Sequence, residues 1–278
     1  MKRRRPSLER EAALWRQGRH VVVGIDEVGR GPLAGPVVAA AVVFPPGMKP
    51  LRGLDDSKLL TAAQRDRLAV LIRRRALAVA VGAASVREID RLNIRRASIL
   101  AMRRALRRLG ITPTDVLVDG LPCPELGVPH VALIDGDARC HSIAAASVVA
   151  KTVRDRLMAL LGARYPAYAW ETNKGYTTEA HVAALATCGP TCHHRQTFAP
   201  VAQLELALSR SGGQAVGRSG GRAGGRSDGR AGDRTGGRAD GRTVRRSDDR
   251  LASLRRTAPT SIAPQFHATP RPQTTRPH

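Results

Sequence analysis

Four acidic residues come at the ends of short apolar segments: Asp26, Glu27, Asp119 and Asp137. A carboxylate at the end of a buried strand loses hydration, and this cost remains unless a cation compensates it. When several such carboxylates from different strands converge on one edge of a sheet, they form a site of hard oxygen ligands. Mg²⁺ and Mn²⁺ prefer such ligands, so the pattern predicts a divalent-cation site.

A single aspartate after a strand is more often a turn former or a helix cap than a metal ligand. We keep that interpretation for Asp55, Asp56 and Asp135. Only one residue separates Asp135 from Asp137, so the residues alone leave open which of the two would be the ligand.

A glycine-rich segment with one basic residue follows the first acidic pair. It includes Gly29, Arg30 and Gly31 and continues to Pro36. Glycines let backbone N–H groups approach phosphates and sugars closely. The segment lacks the Gly-Lys-Ser/Thr ending of a Walker loop, and as a bare turn between two strands it would need no function.

The elements that must position these residues alternate between apolar strands and amphipathic helices. Three strands come first, and helices interleaved with short strands follow, which predicts an α/β fold with a mixed sheet flanked by helices. The predicted strands are Val21–Ile25, Val37–Phe44, Ala76–Ala84, Asp115–Val118 and Val131–Ile134. The predicted helices are Thr61–Arg75, Asn93–Leu109, Ser142–Leu161 and Thr177–Thr187.

Composition points to a polyanionic partner. The 278 residues carry a formal net charge of +23, and nucleic acid is the commonest partner of so basic a chain. Charge alone does not separate an enzyme from a coating protein. The four cysteines do not indicate a disulfide scaffold. No uninterrupted apolar run approaches the roughly 20 residues of a membrane span, so we expect a cytoplasmic protein.

The composition changes at about Ser209, which divides the chain into a predicted catalytic domain, residues 1–208, and a tail, residues 209–278. The tail contains 15 Arg and 5 Asp, a net +10, and hardly any large apolar side chain. Arginine recurs at every fourth position from Arg218 to Arg250. We predict a disordered segment. Non-specific capture of nucleic acid and the absence of any selected role are both open interpretations of it.

The motifs taken together are more specific than any one of them. The segment from Gly24 to Val38 resembles the opening signature of the type 2 ribonucleases H, the ribonuclease HII family. Further matching segments occur in the family's order: Leu54–Lys58, Glu88–Ile94, Val118–Gly120, Gly136–Arg139, Ile143–Lys151, Arg154–Asp155, Lys174–Tyr176 and His193–Arg195. The resemblance covers roughly residues 9–208 and excludes the tail.

This resemblance implies a ribonuclease H-like fold with a helical C-terminal part. It implies that the catalytic and metal-binding acids are Asp26, Glu27, Asp119 and Asp137, which favours Asp137 over Asp135. It further implies that the Gly-Arg-Gly turn contacts the nucleic acid around the ribonucleotide 2′-OH. By the same resemblance, Tyr176 packs on the sugar of the adjacent deoxynucleotide.

The activity implied is metal-dependent hydrolysis, with Mn²⁺ or Mg²⁺, on the 5′ side of a ribonucleotide. The substrates implied are RNA–DNA hybrids and single ribonucleotides in duplex DNA, and the products carry 3′-hydroxyl and 5′-phosphate ends. We expect a monomer that acts in replication and ribonucleotide removal.

Several other features allow more than one interpretation. Lys58, Lys151 and Lys174 are candidates for phosphate contacts or are ordinary surface lysines. Cys188 and Cys192 precede two histidines, but the spacing is loose and we favour an interpretation without zinc. Two alternative functions are a catalytically silent nucleic-acid binding protein and the related type 3 ribonuclease H. The type 3 enzyme usually has an N-terminal substrate-binding domain, for which the roughly 20 residues before Val21 are too few.

Overall fold

The computed structural model describes residues 5–204. Its five strands are β1 (Val22–Val28), β2 (Val37–Val43), β3 (Ala78–Ala84), β4 (Asp115–Asp119) and β5 (Val131–Leu133). Its helices include α1 (Glu9–Arg16), α2 (Ala62–Arg75), α3 (Val86–Leu92), α4 (Ile94–Arg108), α5 (Gly136–Arg139), α6 (His141–Arg164), α7 (Trp170–Asn173) and α8 (Glu179–Cys188). No helix within these 200 described positions is long and apolar enough to cross a bilayer.

The strands form one mixed sheet in the order β3-β2-β1-β4-β5. The first three strands are antiparallel neighbours. β4 and β5 are added in parallel beside β1, which requires crossover connections. α3 and α4 lie in the connection that leads to β4, and the connection from β4 to β5 contains a short 3-10 helix, Pro124–Leu126. The predicted α/β class with a mixed, helix-flanked sheet is therefore confirmed.

Helices cover both faces of this sheet. α6 and α2 pack on one face, where alternate residues such as Val38, Ala40 and Val42 belong to the same core as α6. α4 packs on the other face against the intervening residues, among them Ala39 and Ala41. Because strand side chains alternate between faces, each strand residue is assigned to one of the two cores. We refer to these faces as the α6 face and the α4 face.

A glycine brings the central strand and the longest helix into close contact. A Cβ atom at Gly24 would lie 2.3 Å from the carbonyl carbon of Ser142 and 2.5 Å from the amide nitrogen of Ile143. The first turn of α6 can therefore approach the middle of β1 closely. This approach brings the start of α6 next to the acidic end of β1.

The predicted elements are recovered with shifted ends. β1 was expected to stop at Ile25, but it continues to Val28 because Asp26 and Glu27 are in register with Ala40 and Ala39 of β2. α2 begins with a capping box, in which Thr61 and Gln64 are bonded reciprocally. Four helices were not predicted, and each has eight residues or fewer: α1, α3, α5 and α7.

The C-terminal part is helical, as expected, and it contains a buried histidine pair. Trp170 Nε1–H donates to His181 Nε2 at 3.0 Å, so the proton of His181 is on Nδ1, which donates to the carbonyl of Tyr176 at 2.9 Å. The backbone N–H of Thr191 donates to His194 Nδ1 at 2.9 Å, which leaves His194 Nε2–H to donate to His181 Nε2 at 3.1 Å. Both rings are therefore neutral and fully bonded.

The predicted disordered tail, residues 209–278, lies outside the described residues. Its boundary and its character remain predictions.

We expect Gly24→Ala to destabilise the protein by about 3 kcal/mol, because the added methyl group would overlap the backbone of α6. Thermal and urea unfolding would measure the loss. Gly53→Ala is the matched control: Gly53 has φ +80°, but an added Cβ there would have no atom within 4 Å, so only backbone strain of about 1 kcal/mol is expected. Equal stability of the two variants would contradict this account of the β1–α6 contact.

We expect the histidine pair to make the protein acid-sensitive. Burial, and then the neighbouring His181, lower the pKa of His194 from 6.5 to about 4. The unfolded chain takes up this proton first as the pH falls, so stability is complete above pH 6.5 and decreases below it. The expected loss between pH 6.5 and 5 is about 2 kcal/mol. His194→Gln should show a shallower pH dependence of unfolding, and an unchanged dependence would argue against the neutral pair.

Candidate active site

A cavity of about 320 Å³ opens at the carboxyl ends of β1 and β4. All four predicted acids line it, together with the Gly-Arg-Gly turn and Tyr176. Lys58 and Lys151 also line it, as do the serines Ser57 and Ser147. We call it the acid cavity. The sequence motifs, which are far apart in the chain, thus meet at one edge of the sheet.

The acids reach the cavity from three elements. Asp26, near the carboxyl end of β1, and Asp119, the last residue of the parallel strand β4, lie on the α6 face. Asp137 lies in α5 next to the start of α6. The backbone N–H of Gly136 donates to Asp119 Oδ1 at 2.7 Å, which ties α5 to the end of β4. Glu27 follows Asp26 directly in the strand, so its side chain leaves on the α4 face.

The acids raise one another's affinity for protons. Burial raises the pKa of Asp26 well above its usual value, and the charges of Glu27 and Asp119 raise it further. Burial also raises the pKa of Asp119, with an added contribution from Asp137. For Glu27, burial raises the pKa although the nearby Arg30 opposes the shift. Carboxylates in such surroundings gain free energy when a cation joins them.

Two of the acids are paired with cationic side chains. Lys58 Nζ lies 3.6 Å from Asp137 Oδ2, and Arg30 Nη1 lies 3.1 Å from Glu27 Oε1. Burial opposes the charged form of Lys58, but the carboxylates of Asp137, Asp56 and Asp26 together raise its pKa.

The donor set suits Mg²⁺ or Mn²⁺, since it consists of carboxylate oxygens whose mutual repulsion needs positive charge. Within residues 5–204, however, no three or more His, Cys, Asp or Glu side chains are already grouped as a metal-binding set. Asp26, Asp119 and Asp137 line the acid cavity from three elements without being gathered into such a set, and Glu27 leaves on the opposite face and pairs with Arg30. The acids fit a divalent cation in chemistry.

The Gly-Arg-Gly turn is held by a buried guanidinium. Arg195, which is 0% exposed, donates to the carbonyls of Gly29 at 2.6 Å, Arg30 at 2.7 Å and Gly35 at 2.9 Å. Burial, and then the charge of Arg154, lower its pKa to about 9. The turn therefore has a fixed backbone, with its carbonyl oxygens committed to the protein interior.

A second buried guanidinium extends this support. Arg154 donates to the carbonyls of Ala34 at 3.1 Å, Pro36 at 3.0 Å and Lys174 at 3.0 Å. It also fills the space beside Gly29, where a Cβ atom would lie 2.1 Å from its Nε. With φ +90°, Gly29 could not be replaced without strain.

Tyr176 stands at the rim of the acid cavity with 42% of its surface exposed. Its ring lies 6.0 Å from the guanidinium carbon of Arg154, and its carbonyl accepts the hydrogen bond from His181. The backbone of this residue is thus anchored while the ring remains available to a ligand.

The three predicted lysines are placed differently. Lys58 and Lys151 line the acid cavity, and Lys151 Nζ donates to Asp155 at 2.8 Å. Lys174 is not among the residues that line it, and its ammonium donates to the carbonyl of Glu171.

The remaining candidates lie apart from the acid cavity. Asp135 is exposed, with φ 53°, at the N-terminus of α5. The side chains of Asp55 and Asp56 accept from backbone N–H groups in the turn before Lys58. Cys188 and Cys192 are exposed free cysteines and belong to no metal-ligand group in the described part of the chain.

Sequence reasoning missed the structural importance of Arg154 and Arg195. Both were quoted as parts of motifs, but a sequence gives no sign that an arginine is buried against carbonyl oxygens. Ser147 was expected to pack or hydrogen-bond near the acids without a catalytic role. Its hydrogen bond to Asp26 opposes the rise in that carboxyl's pKa, and its hydroxyl lies 2.9 Å from that of Ser57.

Solved structures with a similar fold are ribonucleases H. The ribonuclease H2 of Pyrococcus horikoshii OT3 aligns with a TM-score of 0.57 and 24% identity, over 68% of this chain and 99% of that one. The structure of Bst-RNase HIII in complex with Mn²⁺ aligns with a TM-score of 0.54 and 21% identity, over 69% of this chain and 71% of that one. These likenesses confirm the predicted ribonuclease H-like fold.

Sequence comparison gives the family. The family model described as Ribonuclease HII matches residues 23–201. A ribonuclease HII of Granulibacter bethesdensis is 56% identical over 201 residues, which span 71% of this chain and 89% of that protein. These matches decide against both the silent binding protein and the type 3 enzyme. The chain therefore belongs to the ribonuclease HII family and is a ribonuclease H, an endonuclease that acts on RNA–DNA hybrids.

Proposed function

We propose that this ribonuclease H also incises duplex DNA on the 5′ side of single embedded ribonucleotides, and that it uses two divalent cations, Mn²⁺ or Mg²⁺. The products would carry 3′-hydroxyl and 5′-phosphate ends. The observation that carries this proposal is the meeting of the four acids with the Gly-Arg-Gly turn and Tyr176 in one cavity. Such a cavity combines hydrolytic chemistry with a means of reading the sugar.

The residues proposed to hold the cations are Asp26, Glu27, Asp119 and Asp137. When bound, the cations would activate a water molecule and stabilise the departing 3′ oxygen in an in-line displacement. The raised pKa values of Asp26, Glu27 and Asp119 support this assignment because they report a local excess of negative charge. A solved structure with the same fold, Bst-RNase HIII, is described in complex with Mn²⁺.

The chain's own cations would orient the phosphate. Lys58 and Lys151 line the acid cavity beside the carboxylates, where their ammonium groups can bind non-bridging phosphate oxygens. We propose that Arg30 leaves Glu27 for a phosphate as the substrate binds. Lys174 would at most contact the duplex outside the acid cavity.

The Gly-Arg-Gly turn is the proposed reader of the 2′-OH, the group that distinguishes RNA from DNA at one position. Its rigidity supports the assignment, because Arg195 fixes the carbonyls of Gly29 and Arg30. A rigid backbone can approach a ribose closely without a loss of conformational entropy on binding. Tyr176 is proposed to pack on the sugar of the next deoxynucleotide and thereby to sense the RNA–DNA junction.

The proposal is tested with two substrates: a DNA duplex that contains one ribonucleotide, and an RNA–DNA hybrid. Each is incubated with Mg²⁺ or Mn²⁺, and the products are mapped to the nucleotide. We expect cleavage of both, with incision of the first directly 5′ of the ribonucleotide. Cleavage of the hybrid alone would overturn the proposed incision of embedded ribonucleotides.

We expect Asp137→Asn to lower kcat by at least about a hundredfold, because it removes one of the charges that would hold the cations. Asp119→Asn should act in the same way and leave hybrid binding largely intact. Asp135→Asn is the matched control, two residues away but exposed and outside the acid cavity. It should cleave as the parent does. Full activity of Asp137→Asn or Asp119→Asn would refute the site assignment.

We further propose that residues 209–278 are an accessory segment that strengthens binding to nucleic acid without taking part in catalysis. Its net charge of +10 supports an electrostatic contribution. Truncation after Leu208 should leave the cleavage rate at low salt within about twofold of the parent and reduce the salt dependence of binding. A truncated protein that is inactive at low salt would contradict this division of the chain.

We also propose that the protein acts as a monomer in the cytoplasm, during replication.

A further inference from the structure

A second cavity, of about 260 Å³, lies on the α4 face of the sheet beside the acid cavity. The two cavities have Glu27, Arg30 and Asp119 in common. The other walls of the second cavity come from α4 and from the loop after β4. Since Asp26 and Glu27 point to opposite faces, the acidic end of β1 forms the boundary between the two cavities. We call the second one the α4 cavity.

The α4 cavity contains a buried hydroxyl group that is not hydrogen-bonded. Ser98 lines the cavity and is 3% exposed, and its Oγ has no hydrogen-bond partner within the described residues. A buried polar atom without a partner costs free energy, which a ligand oxygen or N–H would recover. This hydroxyl therefore indicates a polar ligand in the cavity.

The rest of the lining combines cationic and apolar surface. Arg95 is oriented by a bidentate ion pair with Glu125, at 2.5 and 3.1 Å, and its side chain remains 54% exposed. Leu121 lies at the cavity with 74% of its surface exposed and adds apolar surface beside the acids. Guanidinium groups bind phosphate oxygens, and exposed apolar side chains pack on sugars and bases. The combination suits one nucleotide of a nucleic-acid strand.

We propose that the α4 cavity binds the nucleotide on the 5′ side of the scissile phosphate, the one that leaves with the new 3′-hydroxyl. This inference rests on the proposed function, in which the ribonucleotide lies at Gly29–Gly31 and the scissile phosphate at the acids. The cleaved strand must then continue past Glu27 and Asp119, and the α4 cavity adjoins the acid cavity at these two residues. The ribonucleotide and its 5′ neighbour would thus occupy opposite faces of the sheet.

The test combines a surface variant with a substrate that lacks one base. Leu121→Asp should lower kcat/KM about tenfold on a duplex with one ribonucleotide, mainly through KM, because it removes the apolar surface proposed to pack on the base. On the same duplex with an abasic residue directly 5′ of the scissile phosphate, variant and parent should differ by less than about threefold, since the contact is already lost. Leu160→Asp is the control, because Leu160 is 71% exposed and lines neither cavity.

Ser98→Ala provides an independent measurement. Removal of an unsatisfied buried hydroxyl should leave the melting temperature equal to or higher than that of the parent, while KM for the intact duplex rises. A purely structural role for Ser98 would instead lower the melting temperature and leave KM unchanged. That outcome would overturn the proposal, as would an equal loss for Leu121→Asp on the intact and abasic duplexes.

The position at which the parent enzyme cuts the duplex, mapped in the same assay, separates the proposed function from the α4 cavity proposal. Incision at another position would count against the proposed function. Incision 5′ of the ribonucleotide, with no interaction between Leu121→Asp and the abasic residue, would overturn the α4 cavity proposal alone.

Discussion

The structure depends on holding several carboxylates together at one partly buried edge of a sheet. Asp26 and Asp137 are 6% and 7% exposed, and each carboxylate raises the cost of ionising its neighbours. Three features make this arrangement possible. The strands end side by side, Gly24 lets α6 approach closely, and cationic side chains compensate part of the charge. The clustered negative charge opposes folding here through mutual repulsion, and the same charge would attract a divalent cation.

The side of the acid cavity formed by the Gly-Arg-Gly turn is built on a different principle. Arg154 and Arg195 are both 0% exposed and donate to main-chain carbonyls instead of carboxylates. A buried guanidinium has a high desolvation cost, which is offset here by six carbonyl acceptors supplied by two segments, residues 29–36 and Lys174. The backbone geometry of the turn is thus fixed by hydrogen bonds. The exposed side chain of Arg30, which pairs with Glu27, and the exposed ring of Tyr176 can respond to a ligand.

The sequence predicted much of this because its strongest signals are local. Period-two and period-3.6 patterns located the sheet strands and the longer helices, and the acids at strand ends indicated where the chemistry would lie. The sequence could not predict that Glu27 faces away from Asp26 and pairs with Arg30, because the first predicted strand ended at Ile25, before both acids. Nor could it predict that Lys174 turns to Glu171. Contacts between segments 120 or more residues apart, such as Arg154 with Ala34, have no local signature.

The long sequence separation of one contact has a consequence for biosynthesis. Arg195 follows Gly35 by 160 residues, yet it supplies the hydrogen-bond donors that fix the Gly-Arg-Gly turn. A nascent chain contains all four acids once residue 137 has been made, long before the turn can acquire its guanidinium. The four acids and the support of the turn are therefore completed at different times, and the support comes last. A chain that ended before residue 195 would retain the acids without the backbone support proposed to restrict them to ribonucleotides.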